Sequence, residues 1–315
     1  MTQPDKKFFF FLTFLLVISI IFIFITNFNI YIAILGLVVT VLAFAVGGDA
    51  FVDEAIGFGT KLGLSKMQTG ATILSFLSIV DEIFVVFNSS LRGYSSISFG
   101  AIQGSNLVAM GILLVFVQVS GVAVRRRFAI DTIIMIIAMS ALLLFSFYYL
   151  SITLVLAFIL ILIFFFYLFH LIRENETVDT LQGNYNPLIF FTSAFLIFFA
   201  SQNVVTFSHY FYTLLGGNLF FWGFIIAGIA GSIPEGVMFF ITIRKKEKDS
   251  AIGLILSSSI YKATILLALA TLISPVSFSG SRISVIIILI FSALLLISIF
   301  LGRIPRKKLK QEYSS

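Results

Sequence analysis

The sequence predicts an all-α polytopic membrane protein with about ten transmembrane helices arranged as two inverted-topology repeats. Three observations support this prediction. Of the 315 residues, 60% are hydrophobic and only 11% are charged. The apolar residues fall into stretches of about 20 residues, the length at which a helix spans the hydrocarbon core of a bilayer. The second half of the chain also matches the first half when it is shifted by 153 residues.

The composition excludes a soluble domain and a nucleic-acid-binding protein. Soluble domains contain about 25% charged residues, and no soluble packing arrangement would bury this much apolar surface. The chain has no cysteine, which excludes disulfides and thiolate metal sites. Its net charge is +6, but nearly all Lys and Arg residues lie in short loops between apolar stretches. That distribution indicates membrane topology and not a surface for nucleic acid.

Ten apolar stretches are long enough to cross the membrane. They comprise residues 8–26, 30–56, 67–90, 98–119, 128–149, 151–172, 187–208, 217–243, 250–273 and 282–302. The first stretch follows Lys6 and Lys7, as the apolar part of a signal peptide would. It is long for such a segment, however, and no small-residue cleavage site follows it. We therefore expect a retained transmembrane helix at this position.

The connections between these stretches divide the chain into five parts. The longest connection is polar and lies near the middle of the chain. We expect an extra N-terminal transmembrane helix in residues 1–29, a first repeat half in 30–172, a cytoplasmic linker in 173–186, a second repeat half in 187–302 and a basic cytoplasmic tail in 303–315.

The distribution of basic residues predicts the orientation in the membrane. With the N-terminus in the cytoplasm and ten crossings, 17 of the 20 Lys and Arg residues fall on the cytoplasmic side. Only Arg92 and Arg282 fall outside, and Lys262 lies within a span. Because cytoplasmic loops carry an excess of Lys and Arg, we expect a multi-pass cell-membrane protein with both termini in the cytoplasm.

The internal repeat places two glutamates at equivalent positions. The shift of 153 residues aligns Gly70 with Gly223, Glu82 with Glu235, Gly100 with Gly253 and Ser105 with Ser258. The span that contains Glu82 runs outwards and the span that contains Glu235 runs inwards. The two copies are therefore inverted about an axis in the membrane plane. Secondary transporters often have this architecture, with a binding site at the repeat interface near the midplane.

A charge within a span is costly, and four acidic residues within the predicted spans are candidates for function: Asp49, Asp81, Glu82 and Glu235. The inverted fold brings the two glutamates to similar depth, and facing carboxylates repel unless a cation or proton lies between them. Pro234 removes a backbone donor before Glu235, and the carbonyl freed in this way is a ligand type suited to hard cations such as Ca²⁺ and Na⁺. We therefore predict a cation site at the glutamate pair, with Asp81 and Asp49 as residues that modify it.

These motifs resemble the two α-repeats of the cation/Ca²⁺ exchanger superfamily. The first copy consists of Gly47-Gly48-Asp49, Gly70-Ala71-Thr72, Glu82 and Gly104-Ser105-Asn106, and the second of Gly231-Ser232-Ile233-Pro234-Glu235 and Ser257-Ser258-Ser259. The resemblance covers approximately residues 30–272. It implies that Glu82 and Glu235 are the central ligands for Ca²⁺ and for Na⁺ or H⁺. It also implies supporting oxygens from Ser78, Ser105, Ser232 and Ser258.

Four positions depart from the superfamily pattern. Asp81 replaces a proline of the first repeat and Leu77 replaces a glycine, and Ala109 and Lys262 replace polar ligands that follow the two serine motifs. Lys262 lies about 12 residues into its span, which is too deep for its ammonium to extend easily to the interface. We hypothesise that Lys262 forms an ion pair with Glu82 or Glu235 and stands in for one bound cation.

These observations leave three functions open. The resemblance implies a secondary-active antiporter that exchanges Ca²⁺ for Na⁺ or H⁺ by alternating access around the glutamate pair. With Lys262 and Ala109 in the site, the same fold would instead move a monovalent cation or a proton, or act as a membrane scaffold or sensor without transport. The sequence has no metalloprotease histidine pair, Ser/His arrangement or phosphate-binding loop, so we expect neither an enzyme nor a cofactor. The expected partners are the lipid bilayer and inorganic cations, and the oligomeric state is open.

Overall fold

The computed structural model describes residues 3–25, 29–61, 74–120, 124–173, 185–244 and 248–301. Its helices, in chain order, are α1 (Gln3–Phe24), α2 (Ile30–Lys61), α3 (Leu74–Leu77), α4 (Val80–Leu91), α5 (Ser95–Ser120), α6 (Phe128–Tyr148), α7 (Leu154–Arg173), α8 (Pro187–Leu215), α9 (Leu219–Trp222), α10 (Ile229–Arg244), α11 (Lys248–Tyr261), α12 (Leu267–Ile273) and α13 (Arg282–Leu301). Two short π-helical segments, Gly223–Gly228 and Lys262–Leu266, join α9 to α10 and α11 to α12. The only β-type pairing in these ranges is an isolated bridge between Ser151 and Ser277.

Nine helical stretches in the described part of the chain are long and apolar enough to cross a membrane. They are Lys6–Phe24, Ile30–Ala55, Ser95–Ser120, Phe128–Tyr148, Leu154–Leu171, Pro187–Leu215, Leu219–Arg244, Lys248–Ile273 and Arg282–Leu301. Each π-helical segment lies inside one of these stretches, so α9 and α10 form one span, and α11 and α12 form another. The prediction of an all-α polytopic membrane protein is confirmed.

The predicted span at residues 67–90 differs from the other nine because it is not one continuous helix. Its described part consists of α3 and α4, which are separated by a turn at Ser78 and Ile79. The α4 helix has 12 residues, too few to cross the hydrocarbon core alone. Irregular backbone at membrane depth is tolerated where protein covers it, and Ser78 and Ile79 are indeed buried.

Several features predicted from the sequence lie outside the described residues. They are the Gly70-Ala71-Thr72 motif, Lys66, residues 174–184 of the central linker and the basic tail at 303–315. The boundaries of the two repeat halves stay a prediction, and so does the cytoplasmic placement of both termini.

One hydrogen bond joins equivalent positions of the two repeats. Asn106 Nδ2 donates to the carbonyl oxygen of Ser259 at 3.3 Å, and these residues are 153 positions apart in the chain. Because a two-fold axis carries each residue onto its equivalent, residues that touch their own equivalents lie close to that axis. The α5–α11 contact therefore lies near the centre of the repeat arrangement.

The helices differ in how much of their surface faces lipid. The span formed by α11 and α12 is the most buried of the nine, whereas α1 and α7 are among the least buried. An outer helix can expose leucine and phenylalanine because lipid tails are equally apolar. Polar side chains lie inside instead, and Gln103, Asn106 and Lys262 on the two central spans are fully buried. The central spans are therefore where a polar site is expected.

Local sequence sets both ends of α8. The Asn186 side chain accepts a hydrogen bond from the Leu188 N–H at 3.1 Å, and Pro187 occupies the first helical position, where its missing N–H is not needed. The helix ends before Gly216, whose φ of 76° lies in the left-handed region that favours glycine. The short connection to α9 follows from this turn.

A glycine contact brings α5 and the α9–α10 span unusually close together. A Cβ atom added at Gly228 would lie 2.6 Å from the Gly104 Cα atom. Small residues at membrane helix interfaces allow this direct backbone contact. The two glycines therefore set the distance between α5 and the span that carries Glu235.

We expect Gly228→Ala to lower the free energy of unfolding by about 1–3 kcal/mol, the usual cost of overpacking a tight interior. The matched control is Gly236→Ala in the same span, where an added Cβ would lie 3.7 Å from the nearest neighbouring atom, in the Ile112 side chain. Thermal unfolding of the purified protein in detergent measures both changes. Equal melting temperatures for the two variants would contradict the assignment of Gly228 to a tight backbone crossing.

Candidate cation site

The break between α3 and α4 places two acidic residues in a first helical turn. Because α4 begins at Val80, Asp81 and Glu82 both lie in its first turn. Negative side chains are favourable at a helix N-terminus, where unpaired backbone N–H groups give a partial positive charge. Asp81 and Glu82 are 2% and 1% exposed, respectively. The helix break therefore holds two carboxyl groups in the interior of the protein.

Glu235 lies in an irregular part of the α9–α10 span. Pro234 precedes it inside α10 and has no N–H to donate to the carbonyl of Ala230. The π-helical segment Gly223–Gly228 lies just before α10, and such segments are frequent at functional sites. Glu235 is fully buried, so this span also carries a carboxyl group into the interior.

Glu82 and Glu235 meet at the ammonium group of Lys262. Lys262 Nζ lies 2.7 Å from Glu235 Oε2 and 3.5 Å from Glu82 Oε1. It also donates to Ser105 Oγ at 2.8 Å, and Ser105 Oγ donates to Glu82 Oε1 at 2.9 Å. We call these four buried side chains the Lys262 network. They come from α4, α5, α10 and the π-helical segment that begins at Lys262 itself.

The Lys262 network leaves carboxylate oxygens without a hydrogen-bond partner among the described residues. These atoms are Glu82 Oε2, Glu235 Oε1 and, beside the network, Asp81 Oδ2. The Asp81 carboxyl group lies within hydrogen-bonding reach of the Glu82 carboxyl group, and its charge also acts on Glu235 and Lys262. Carboxylates this close repel one another unless a cation or a proton lies between them. The arrangement therefore favours positive charge in addition to that of Lys262.

No three acidic or histidine side chains in the described ranges are arranged as ligands of one metal ion. The Lys262 ammonium lies within reach of both glutamates. A cation that bound between Glu82 and Glu235 in this conformation would have to displace that ammonium or bind next to it.

The serine hydroxyls predicted as ligands have different surroundings. Only Ser105 belongs to the Lys262 network. Ser232 Oγ donates to the Ile229 carbonyl at 2.8 Å, and Ser258 Oγ donates to the Ile255 carbonyl at 3.1 Å. The Ser258 hydroxyl group nevertheless lies within hydrogen-bonding reach of the Glu235 carboxyl group. In this conformation the hydroxyl groups of Ser232 and Ser258 donate to backbone carbonyls of their own helices.

The other predicted positions lie around the network. Ser78 is buried in the turn between α3 and α4, and Ala109 is buried on α5. Asp49 is exposed on α2 and takes no part in the four contacts that define the Lys262 network. The structure therefore brings together Glu82, Glu235, Ser105 and Lys262, with Asp81 beside them, and it leaves Asp49 apart.

Gly231 is a site residue that sequence reasoning did not single out for this role. A Cβ atom added there would lie 3.3 Å from Glu82 Oε1, so Gly231 gives the Glu82 carboxyl group room beside α10. The repeat contained a signal, because the shift of 153 residues aligns Gly231 with Ser78, four residues before Glu82. The repeat alone does not show that Gly231 faces the opposite glutamate.

Comparison with known proteins identifies the family. The profile of the family described as "Sodium/calcium exchanger protein" matches residues 32–173 and 185–313. A curated relative, the sodium/calcium exchanger MaX1 of Methanosarcina acetivorans, is 31% identical over 78 residues. The aligned stretch spans 25% of this chain and only 22% of that relative.

Several solved structures share the fold of this chain. The H⁺/Ca²⁺ exchanger CAX superimposes with a TM-score of 0.70 at 13% identity, over 97% of this chain and 95% of that one. Native YfkE gives a TM-score of 0.65 at 17% identity, over 93% and 98% of the two chains. The sodium-calcium exchanger NCX_Mj gives 0.58 at 15% identity, over 85% and 90%. Taken with the family profile, which covers both halves of the chain, these observations show that the protein is a multi-pass membrane protein of the sodium/calcium exchanger family.

Proposed function

We propose that the chain is a secondary-active cation antiporter that works by alternating access around Glu82 and Glu235. One observation carries this proposal. Two buried glutamates at equivalent positions of the two repeats approach the same positive charge, the ammonium of Lys262, at 3.5 and 2.7 Å. A pair of buried carboxylates with unpartnered oxygens is suited to bind a cation, since hard cations prefer oxygen ligands.

The proposed cargo is Ca²⁺, and the proposed counter-ion is Na⁺ or H⁺. The exchangers that resemble this chain are named for these ions. The inverted repeat supports alternating access, because repeats of opposite topology can rock against each other around a fixed site at their interface. We further propose that both termini lie in the cytoplasm, since this orientation places most basic residues there.

Ion flux in proteoliposomes tests this proposal. Vesicles that contain the purified protein are loaded with Na⁺, or given a pH gradient, and Ca²⁺ uptake is followed. We expect uptake that depends on the gradient, and we expect Glu82→Gln to reduce it to the level of empty vesicles because the substitution removes a central charge. The matched control is Asp249→Asn, which removes a carboxylate that pairs with Arg125 at 2.6 Å near the start of α11.

Lys262 favours a second candidate function. Its ammonium already lies between the two glutamates, as a bound monovalent cation would, so the site can also serve a monovalent cation or a proton. Movement of Na⁺ or H⁺ in the absence of Ca²⁺ uptake would support this second candidate. If no cation moves in any gradient, both transport functions are wrong, and a membrane scaffold or sensor with the exchanger fold becomes the best description.

A further inference from the structure

The ammonium of Lys262 is not shared equally between the two glutamates. It lies 2.7 Å from Glu235 Oε2 but 3.5 Å from Glu82 Oε1. Because the interaction of two charges weakens with distance, Lys262 neutralises Glu235 more strongly than Glu82. Glu82 uses Oε1 for its contacts with Lys262 and Ser105, whereas its Oε2 atom is buried without a partner. Glu82 is therefore less strongly paired with Lys262 than Glu235 is, and its Oε2 atom is available to another ligand.

Asp81 provides a second available oxygen beside Glu82. Its side chain is 2% exposed, and its Oδ2 atom has no hydrogen-bond partner among the described residues. Its carboxyl group lies within hydrogen-bonding reach of the Glu82 carboxyl group. The equivalent position of the second repeat is Pro234, so this extra carboxylate belongs to one repeat only. Neither helix packing nor the antiport scheme around the glutamate pair accounts for it.

The charges of these side chains favour a divalent cation over a single monovalent one. When all three carboxyl groups are ionised, they and the one ammonium carry a formal charge of −2. Lys262 pairs with Glu235, so the remaining negative charge lies on Asp81 and Glu82. A single monovalent cation would leave a buried negative charge, which is costly in a lipid-embedded interior. One divalent cation would neutralise the pair completely.

We propose that Asp81 and Glu82 bind a divalent cation between them, beside the Lys262–Glu235 pair and not in place of the ammonium. Asp81 thus supplies an additional ligand that offsets the charge of Lys262. The inference rests on the proposed antiport function and deepens it, because it adds one more ligand to the cation site. It also accounts for the presence of both Asp81 and Lys262, two departures from the superfamily pattern, in one site.

Calcium binding to the purified full chain in detergent, measured by isothermal titration with CaCl₂, tests the inference. We expect Asp81→Asn to lower the affinity for Ca²⁺ by at least about tenfold, because a carboxylate ligand is lost from a hard-cation site. Adding Lys262→Met to Asp81→Asn restores the charge of −2 and is expected to recover most of the lost affinity. Asp249→Asn is the matched control and is expected to bind Ca²⁺ as the wild type does.

A second measurement addresses Asp81 without removing its carboxylate. Labelling the aspartates with ¹³C separates their carboxylate band in the infrared spectrum. We expect CaCl₂ to shift that band in the wild type and not in Asp81→Glu. The substitution keeps the carboxylate, but the new glutamate carries no ¹³C label and so does not contribute to the aspartate band. This comparison remains informative if Asp81→Asn does not fold.

The outcomes separate this inference from the proposed function. Wild-type Ca²⁺ affinity in Asp81→Asn, or an unshifted aspartate band in the wild type, would overturn the role of Asp81 even if Ca²⁺ flux is normal. Absence of flux from a wild-type protein that binds Ca²⁺ through Asp81 would instead overturn the antiport function and leave the site intact. Failure of the wild type to bind Ca²⁺ at all would overturn the divalent site.

Discussion

Lys262→Asp is expected to raise the affinity of the chain for Ca²⁺ by at least about a hundredfold, which corresponds to roughly 2.7 kcal/mol of binding free energy. The substitution removes an ammonium that lies 2.7 Å from Glu235 Oε2 and adds a carboxylate to the same site. Two charges about 4 Å apart interact by about 4 kcal/mol at an effective dielectric constant near 20. The expected gain in binding free energy is smaller than this interaction energy, because rearrangement of the Lys262 network offsets part of it.

The measurement is a Ca²⁺ titration of purified wild-type and variant protein. Lys262→Met separates the two contributions, because it removes the ammonium without adding a ligand. Lys248→Asp, an equivalent charge change at an exposed position at the start of α11, is the control for the overall charge of the protein. Wild-type protein that binds Ca²⁺ as tightly as Lys262→Asp would contradict the hypothesis that Lys262 stands in for one bound cation.

Glu235→Gln is expected to lower the free energy of unfolding by about 3–5 kcal/mol, the usual cost of removing one partner from a buried ion pair. The substitution conserves volume, so the effect comes from charge and not from a cavity. Lys262 would retain Ser105 and the more distant Glu82 as partners, which is a weaker compensation for a fully buried ammonium.

The double variant Glu235→Gln/Lys262→Met tests this reason. Replacement of both partners of a buried pair by hydrophobic residues of similar volume is often neutral or stabilising. The double variant leaves no unpaired ammonium, so we expect it to recover most of the lost stability. Unfolding in mixed micelles with increasing SDS gives the free energies. A double variant that is less stable than Glu235→Gln alone would show that Lys262 stabilises the fold through contacts other than its pair with Glu235.

The fold could be predicted in most parts because its determinants are local. A stretch of about 20 apolar residues has few alternatives to a membrane-spanning helix. The stretch Ser78-Ile79-Val80-Asp81 indicated a weakened helix before Glu82. The structure shows that the helix is interrupted by a turn at Ser78 and Ile79.

The candidate site could be predicted only in part. The repeat indicated that Glu82 and Glu235 belong together, because inverted copies place equivalent residues at similar depth in the membrane. Their role as ligands of a cation stays a prediction. Asp49 and Asp81 were indistinguishable as acids within spans, yet Asp49 is exposed on α2 and Asp81 is buried beside Glu82. Which of the two aspartates is buried depends on the direction in which each helix turns its faces. When both the buried face and the lipid-facing face of a helix are apolar, the sequence pattern does not show that direction.

By itself, the sequence determined the membrane-spanning fold, the exchanger family and the two glutamates at equivalent positions of the repeat. These follow from the composition, the length of the apolar stretches, the internal repeat and the motifs, which are properties of the sequence alone. Only the tertiary structure decided that the Lys262 ammonium faces Glu235 more closely than Glu82, and that Asp81 is buried beside Glu82 with one oxygen that has no partner among the described residues. The physical reason is that a distance of a few ångströms between side chains on different helices depends on how those helices pack, and electrostatic interactions in a buried site depend on those distances.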